Sequence, residues 1–213
     1  DEDEDFLGYL VEDYQAKVIE IKDLSPNIKG IRLQIDRAMQ FQAGQYVNIQ
    51  LPSIEGTRAF SIANSPNEEG IVELHIRKVE GGAATTYVHE NLKQGDELDI
   101  SGPYGQFFVR KSDDRGVIFI AGGSGLSSPQ SMILDLLEAG ETRNIYLFQG
   151  ARDVSELYNR EIFENLVKEH ANFHYIPALN APKAEDAWTG FTGYVHEAVA
   201  HHFENKCSGH KAY

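Results

Sequence analysis

Val117-Ile118-Phe119-Ile120-Ala121-Gly122-Gly123-Ser124-Gly125-Leu126-Ser127-Ser128-Pro129 is an unbroken apolar run that gives way to glycine and serine. The run suits a strand covered on both faces, as parallel sheets require. The small residues after it predict a tight strand-to-helix turn. Ser128 is a candidate N-cap, Pro129 suits the first helical position, and Ala139-Gly140 ends the helix. The pattern then repeats. A strand is expected over 144–148, and a helix over 154–170 that sets Val154, Leu157, Phe163 and Leu166 near one face. A third strand over 173–178, a loop carrying Trp188, a helix over 195–203 and the start of a strand at His210 follow. Strand and helix in alternation predict a parallel sheet with helices on both sides.

Upstream of residues 112–116 the grammar is different. Short alternating segments at 16–21, 28–35, 45–50, 57–62, 71–79 and 97–101 are separated by turns such as Ser25-Pro26-Asn27, Ser65-Pro66-Asn67 and Gly95-Asp96. With a single helix expected over 85–92, they predict an antiparallel barrel. The fold class is therefore β followed by α/β, with the break near 112–116. Residues 1–13 read as an acidic linker. Both ends read as those of a longer chain, the last strand stopping as it begins.

Composition narrows the function. The chain has 213 residues, 41% hydrophobic, and a formal net charge of -14. That charge argues against a nucleic-acid partner, whose phosphates are met mainly by Lys and Arg. It serves solubility, or a basic protein partner. Cys207 is the single cysteine, which excludes an internal disulfide and a cluster held by several thiolates. A reducing cytoplasm is the expected location. No apolar run approaches the length of a membrane span, and the acidic N-terminal end is unlike a signal peptide.

Three segments carry chemistry. Arg58-Ala59-Phe60-Ser61 ends a barrel strand: a guanidinium there can hold a diphosphate, an aromatic can lie on a flat ring, and a hydroxyl can bond a ring nitrogen. The same four residues also make an ordinary in-out strand. Gly81-Gly82-Ala83-Ala84-Thr85 precedes the barrel helix, where small residues expose backbone N–H groups to an anion. A flexible turn with a Thr85 N-cap explains that segment too. Gly122-Gly123-Ser124-Gly125-Leu126-Ser127 sits where open α/β sheets bind nucleotide phosphates, and its spacing is neither G-x-G-x-x-G nor a Walker loop. After the next strand, Arg152 and Asp153 stand where the adenosine ribose is read. Asp favours a free 2′-hydroxyl and Arg a 2′-phosphate, and both are present. His196 and His201 are five apart, not the four that a zincin helix requires, so no metal site is expected. His201 and His202 suit a helix C-terminus.

Taken in order, these segments resemble the ferredoxin-NADP reductase superfamily over residues 14–213. Arg58-Ala59-Phe60-Ser61 resembles its Arg-x-(Tyr/Phe)-Ser motif, and Gly82-Ala83-Ala84-Thr85 its Gly-x-x-(Ser/Thr). Gly102-Pro103-Tyr104-Gly105 resembles its Gly-Pro-x-Gly turn, and Gly122-Gly123-Ser124-Gly125 its Gly-Gly-Thr-Gly phosphate loop. Within the superfamily, segments 58–66, 102–108, 122–132 and 148–158 are most similar to the reductase components of bacterial multicomponent phenol hydroxylases.

The resemblance implies a Greek-key FAD-binding barrel over 14–112 and an NAD-binding domain, truncated at its C-terminus, over 113–213. It implies that Arg58 holds the FAD diphosphate, that Phe60 lies against the isoalloxazine with Ala59 also in the cofactor site, and that Ser61 bonds near its reactive nitrogen. His75, Ile76 and Arg77 would border the flavin and its phosphates. Gly82, Ala83, Ala84 and Thr85 would give backbone donors, and Phe107 or Phe108 would flank the adenine. Gly122, Gly123, Ser124, Gly125, Leu126 and Ser127 would carry the NADH diphosphate. The implied activity has no catalytic acid or base. NADH reduces FAD, which passes single electrons to an iron–sulfur centre and on to a diiron aromatic hydroxylase.

The expected partners are a ferredoxin module and that hydroxylase. A general NAD(P)H–ferredoxin or flavohaemoprotein-type reductase and a non-catalytic flavin-binding redox sensor are the rival readings. Phe60 replaces the commoner Tyr, and Pro129 falls one place later than usual. The ferredoxin module's CxxxxCxxC is absent, and the family's Cys-Gly-Pro motif would begin beyond Tyr213.

Overall fold

A computed structural model of the chain describes residues 5–213; positions 1–4 of the acidic run lie outside the described residues. Six strands form an antiparallel sheet: β1 (Glu12–Ser25), β2 (Ile28–Ile35), β3 (Tyr46–Gln50), β4 (Thr57–Ser61), β5 (Ile71–Arg77) and β6 (Glu97–Tyr104). Their order is β4-β3-β6-β1-β2-β5. An antiparallel bridge between Ile62 and Leu74 joins the two outer strands and closes the sheet on itself. Inward residues alternate as the sequence requires. Val72, Leu74 and Ile76 enter the barrel core with Val18, Leu33, Val47 and Ile100, while Glu73, His75 and Arg77 face outward.

The barrel helix α1 (Ala83–Glu90) begins two residues earlier than expected. Gly82, not Thr85, is its N-cap residue. Thr85 lies inside the first turn, where its hydroxyl accepts from Val79 N at 3.0 Å and stands 3.2 Å from Gly82 O.

The second half forms a five-stranded parallel sheet ordered β10-β9-β8-β7-β11. Its strands are β7 (Gly116–Gly122), β8 (Ile145–Ala151), β9 (Phe173–Leu179), β10 (Phe191–Thr192) and β11 (His210–Ala212). Helices α2 (Ser127–Glu138) and α3 (Arg160–Glu169) cover one face with Val117, Phe119 and Leu147; α4 (Val195–His202) covers the other with Ile118 and Phe148. Ile120 departs from the expected two-sided burial. It lies on the second face but remains 40% exposed.

Two helix boundaries also differ from the sequence reading. Gly123–Leu126 forms a 3-10 turn that winds directly into α2. Leu126 at the junction is already helical, and no side chain caps it, so Ser128 and Pro129 lie inside the helix. The helix expected over 154–170 is broken. A 3-10 turn spans Val154–Glu156, and Asn159 adopts a left-handed conformation, φ 57°, before α3 starts.

Pro177 sits within β9. The carbonyl of Leu179 accepts from Gly193 on the outer side, and the N–H of Asn180 reaches Ala151 on the β8 side. By alternation, the position of Pro177 faces outward, where its missing N–H leaves the β8 ladder intact. Against the barrel, the second half docks through α2. Ser131 Oγ donates to Asn64 O at 2.7 Å, Gln130 Nε2 to Ala63 O at 3.2 Å, and Asn67 Nδ2 to Glu138 at 2.7 Å.

Candidate dinucleotide-binding sites

The barrel presents a candidate anion site at the edge strand β4. Thr57, Arg58 and Ala59 are exposed, and the Arg58 guanidinium donates only to the backbone carbonyls of Glu55 and Thr57, at 3.1 and 2.9 Å. No carboxylate pairs with it among the described residues. Phe60 is half-buried against the barrel core, with Ser61 beside it.

A second set of donors lies at α1. No side chain caps its N-terminus, and its first bond runs from Thr86 N to Gly82 O, so the N–H groups of Ala83, Ala84 and Thr85 have no intrahelical acceptor. A Cβ on Gly82 would stand 2.8 Å from Thr85 Oγ1 and 3.1 Å from Val79 O, so the turn needs glycine there. An unpaired guanidinium and an uncapped helix start match what an FAD diphosphate requires.

Of His75, Ile76 and Arg77, which the resemblance sets beside the flavin and its phosphates, the first two have buried side chains. Ile76 is part of the barrel core, and His75 is buried against Tyr158, the rings edge-on at 5.3 Å. Only their main chain is left to border a flavin. Arg77 reaches toward the other sheet, its Nη1 lying 3.6 Å from where a Cβ on Gly123 would stand. Phe108 is buried, with Phe6 stacked on it at 5.9 Å and Arg110 over it at 3.9 Å. Phe107 keeps a free ring surface beside Tyr213.

The parallel sheet reverses direction at β7: the chain proceeds outward through β8, β9 and β10, then returns to β11 on the other side. Such a switch point opens a crevice at the carboxyl ends of the strands. The 122–127 loop emerges there. Leu126 and Ser127 are buried, Ser127 Oγ donating to Ser124 O at 2.9 Å, so the loop's free surface is Gly122 to Gly125. Gly122 approaches β8 so closely that a Cβ would lie 3.1 Å from Gly150 O; a Cβ on Gly150 would lie 2.9 Å from that of Val195. A cleft of about 240 Å³ opens here, lined by Gly122, Gly150, Arg152, Asn180, Gly193 and Val195. Backbone that can approach this closely, beside an open loop, fits a nucleotide diphosphate. Gly150 and Val195 were not singled out from sequence, although a glycine ending the second strand was the available signal.

Arg152 lines that cleft, but Asp153 does not. Asp153 is buried, its carboxylate accepting from Ser155 N at 2.9 Å and pairing with Lys183 at 3.0 Å. Hydrogen bonds from Ser155 and Lys183 draw its pKa down to about 2. It shapes the turn after β8, and its charge is already answered. Tyr158, missed altogether in the sequence, is buried between His75 and the glycine loop. Among the described residues no group of His, Cys, Asp or Glu is arranged to hold a metal. No helix of the described residues is long and apolar enough to cross a membrane.

Comparison with known proteins agrees with this division. The model of the oxidoreductase FAD-binding domain matches residues 15–109, and that of the oxidoreductase NAD-binding domain residues 119–213. The whole chain is 81% identical to the phenol hydroxylase P5 protein of Acinetobacter pittii (strain PHEA-2). It is 61% identical to the phenol 2-monooxygenase reductase component DmpP of Pseudomonas sp. (strain CF600). The chain spans 60% of the length of each. A solved ferredoxin reductase of carbazole 1,9a-dioxygenase superposes with a TM-score of 0.83 at 26% identity, covering 97% of this chain and 61% of that one. A barrel and a parallel sheet, each matched by its own domain model, place this chain in the ferredoxin-reductase family of FAD- and NAD-binding oxidoreductases.

Proposed function

We propose that this chain is the flavin- and nucleotide-binding part of an NADH-dependent reductase that passes electrons through FAD to an iron–sulfur centre and on to a diiron phenol hydroxylase. One observation carries the reading. Two separate groups of donors, Arg58 with the start of α1 on the barrel and the 122–125 loop on the parallel sheet, lack a carboxylate partner of their own. Two dinucleotides answer that pattern, and the names of the close relatives supply the hydroxylase.

When bound, the nicotinamide supplies two electrons together and the flavin releases them singly. The protein's part is placement. Arg58 and the N–H groups of α1 neutralise the FAD diphosphate, and Phe60 gives a flat apolar surface beside Ser61. The 122–125 backbone holds the NADH diphosphate, and Ala59 keeps the strand edge slim. The single cysteine cannot hold a two-iron, two-sulfur cluster with its four thiolates, so that centre belongs to a ferredoxin module. The cytoplasm suits this assignment.

The test begins with colour. Purified protein should be yellow with non-covalent FAD. In stopped flow, NADH should bleach the flavin, and a two-iron ferredoxin should be reduced when added. A colourless protein with no affinity for FAD would overturn the proposal.

A further inference from the structure

Tyr158 lies in the break between β8 and α3 and is 4% exposed. Its hydroxyl stands 2.9 Å from the carbonyl oxygen of Gly123 and 3.3 Å from Nδ1 of His75. The other imidazole nitrogen stands 2.9 Å from a carboxylate oxygen of Glu73, which in turn accepts from Arg32 at 2.8 Å. A line of polar groups therefore crosses from the barrel wall to the glycine loop. Arg32 is also paired with Glu68, and Arg77 lies over the loop from the same strand as His75.

In a trans peptide the C=O and N–H of one unit point in opposite directions. Tyr158 draws the Gly123 carbonyl inward, which turns the Ser124 N–H outward. That N–H belongs to the first turn of the 3-10 segment and has no acceptor within it. Next to it, a Cβ on Gly125 would meet no heavy atom within 4 Å. A donor is thus turned away from Tyr158, beside the open surface at Gly125.

The protons of this line can be counted. Burial would raise the pKa of Glu73, but the hydrogen bond and charge of His75, then Arg32, hold it below the usual carboxylate range, so its carboxylate accepts from His75 Nε2–H. Burial keeps the Tyr158 phenol protonated. Its proton goes to the Gly123 carbonyl at 2.9 Å, nearer than His75 Nδ1 at 3.3 Å.

We propose that Tyr158 is a positioning residue of the nucleotide site, aiming the Ser124 N–H at the dinucleotide diphosphate. This rests on the assignment of the 122–127 loop to NADH. The experiment is a titration of the FAD-loaded protein with NAD+, and in parallel with adenosine, which lacks the diphosphate.

Tyr158→Phe should bind NAD+ roughly tenfold more weakly than the parent, bind adenosine as the parent does, and keep the flavin spectrum unchanged. No loss of NAD+ affinity, or an equal loss for both ligands, overturns the inference. Gly125→Val separates this from the site assignment: it fills the open space and should abolish NAD+ binding. If Gly125→Val binds as the parent does, the loop assignment itself fails.

Discussion

Arg58 and Asp153 looked alike in the sequence, each a charged residue ending a strand in the right place for a dinucleotide. The structure separates them by what already answers their charge. Arg58 has only backbone carbonyls for partners, so its removal should be felt by a ligand. Losing a charge-assisted contact to phosphate costs about 1.5–3 kcal/mol, roughly ten- to a hundredfold in affinity. Arg58→Ala should release FAD on dilution while the melting temperature of the apoprotein stays unchanged; equal flavin retention would remove Arg58 from the site. Asp153 is held by Ser155 and Lys183. Asp153→Ser should therefore lower the melting temperature by a few degrees, as loss of a capping carboxylate does, and leave the ratio of NADH to NADPH efficiency unchanged. A marked gain in NADPH use would show that the carboxylate does face the ribose. The sequence could show where these residues lie along the chain but not their partners. Lys183 is thirty residues from Asp153, and no local pattern connects them.

At the scale of elements, strands were more legible than helices. Alternation in 28–35 matches β2 at both ends, because one face must meet the barrel core. The helix expected over 154–170 looked continuous because its apolar residues are spaced for one face. What breaks it is Asn159, whose left-handed backbone leaves its amide donating to Gln130 at 2.7 Å. Asn is among the few residues that tolerate this conformation, so Asn159→Val should destabilise by about 1–3 kcal/mol, measured by chemical denaturation. The turns that follow strands and helices are latched by carboxylates. The side chain of Arg143 draws the pKa of Glu141 to about 2, as Ser155 and Lys183 do for Asp153. A carboxyl with a depressed folded pKa adds stability above its ordinary value, near 4, and that stability is lost as pH falls through about 2. Thermal melts should thus be level from neutral pH to about 4.5 and fall steeply below it. Glu141→Gln should melt lower at neutral pH and lose less on acidification.

For the whole molecule, the order of barrel before parallel sheet was readable because the hydrophobic period changes near residue 112. How the halves meet was not. The docking contacts of Gln130 and Ser131 end on backbone carbonyls of Ala63 and Asn64, which carry no sequence signature. Ser131 is fully buried, so Ser131→Ala should leave the Asn64 carbonyl without a partner at a cost of about 1–3 kcal/mol. Calorimetry should show one unfolding transition in the parent and a split transition if that contact joins the two halves. Pro177 acts between molecules. Outward positions of β9 offer a template on which a strand from another copy could grow, and β10 covers only Ala178 and Leu179. With Pro177 in the row, β9 withholds one of the few donors such an intruder would need, which disfavours growth along that edge.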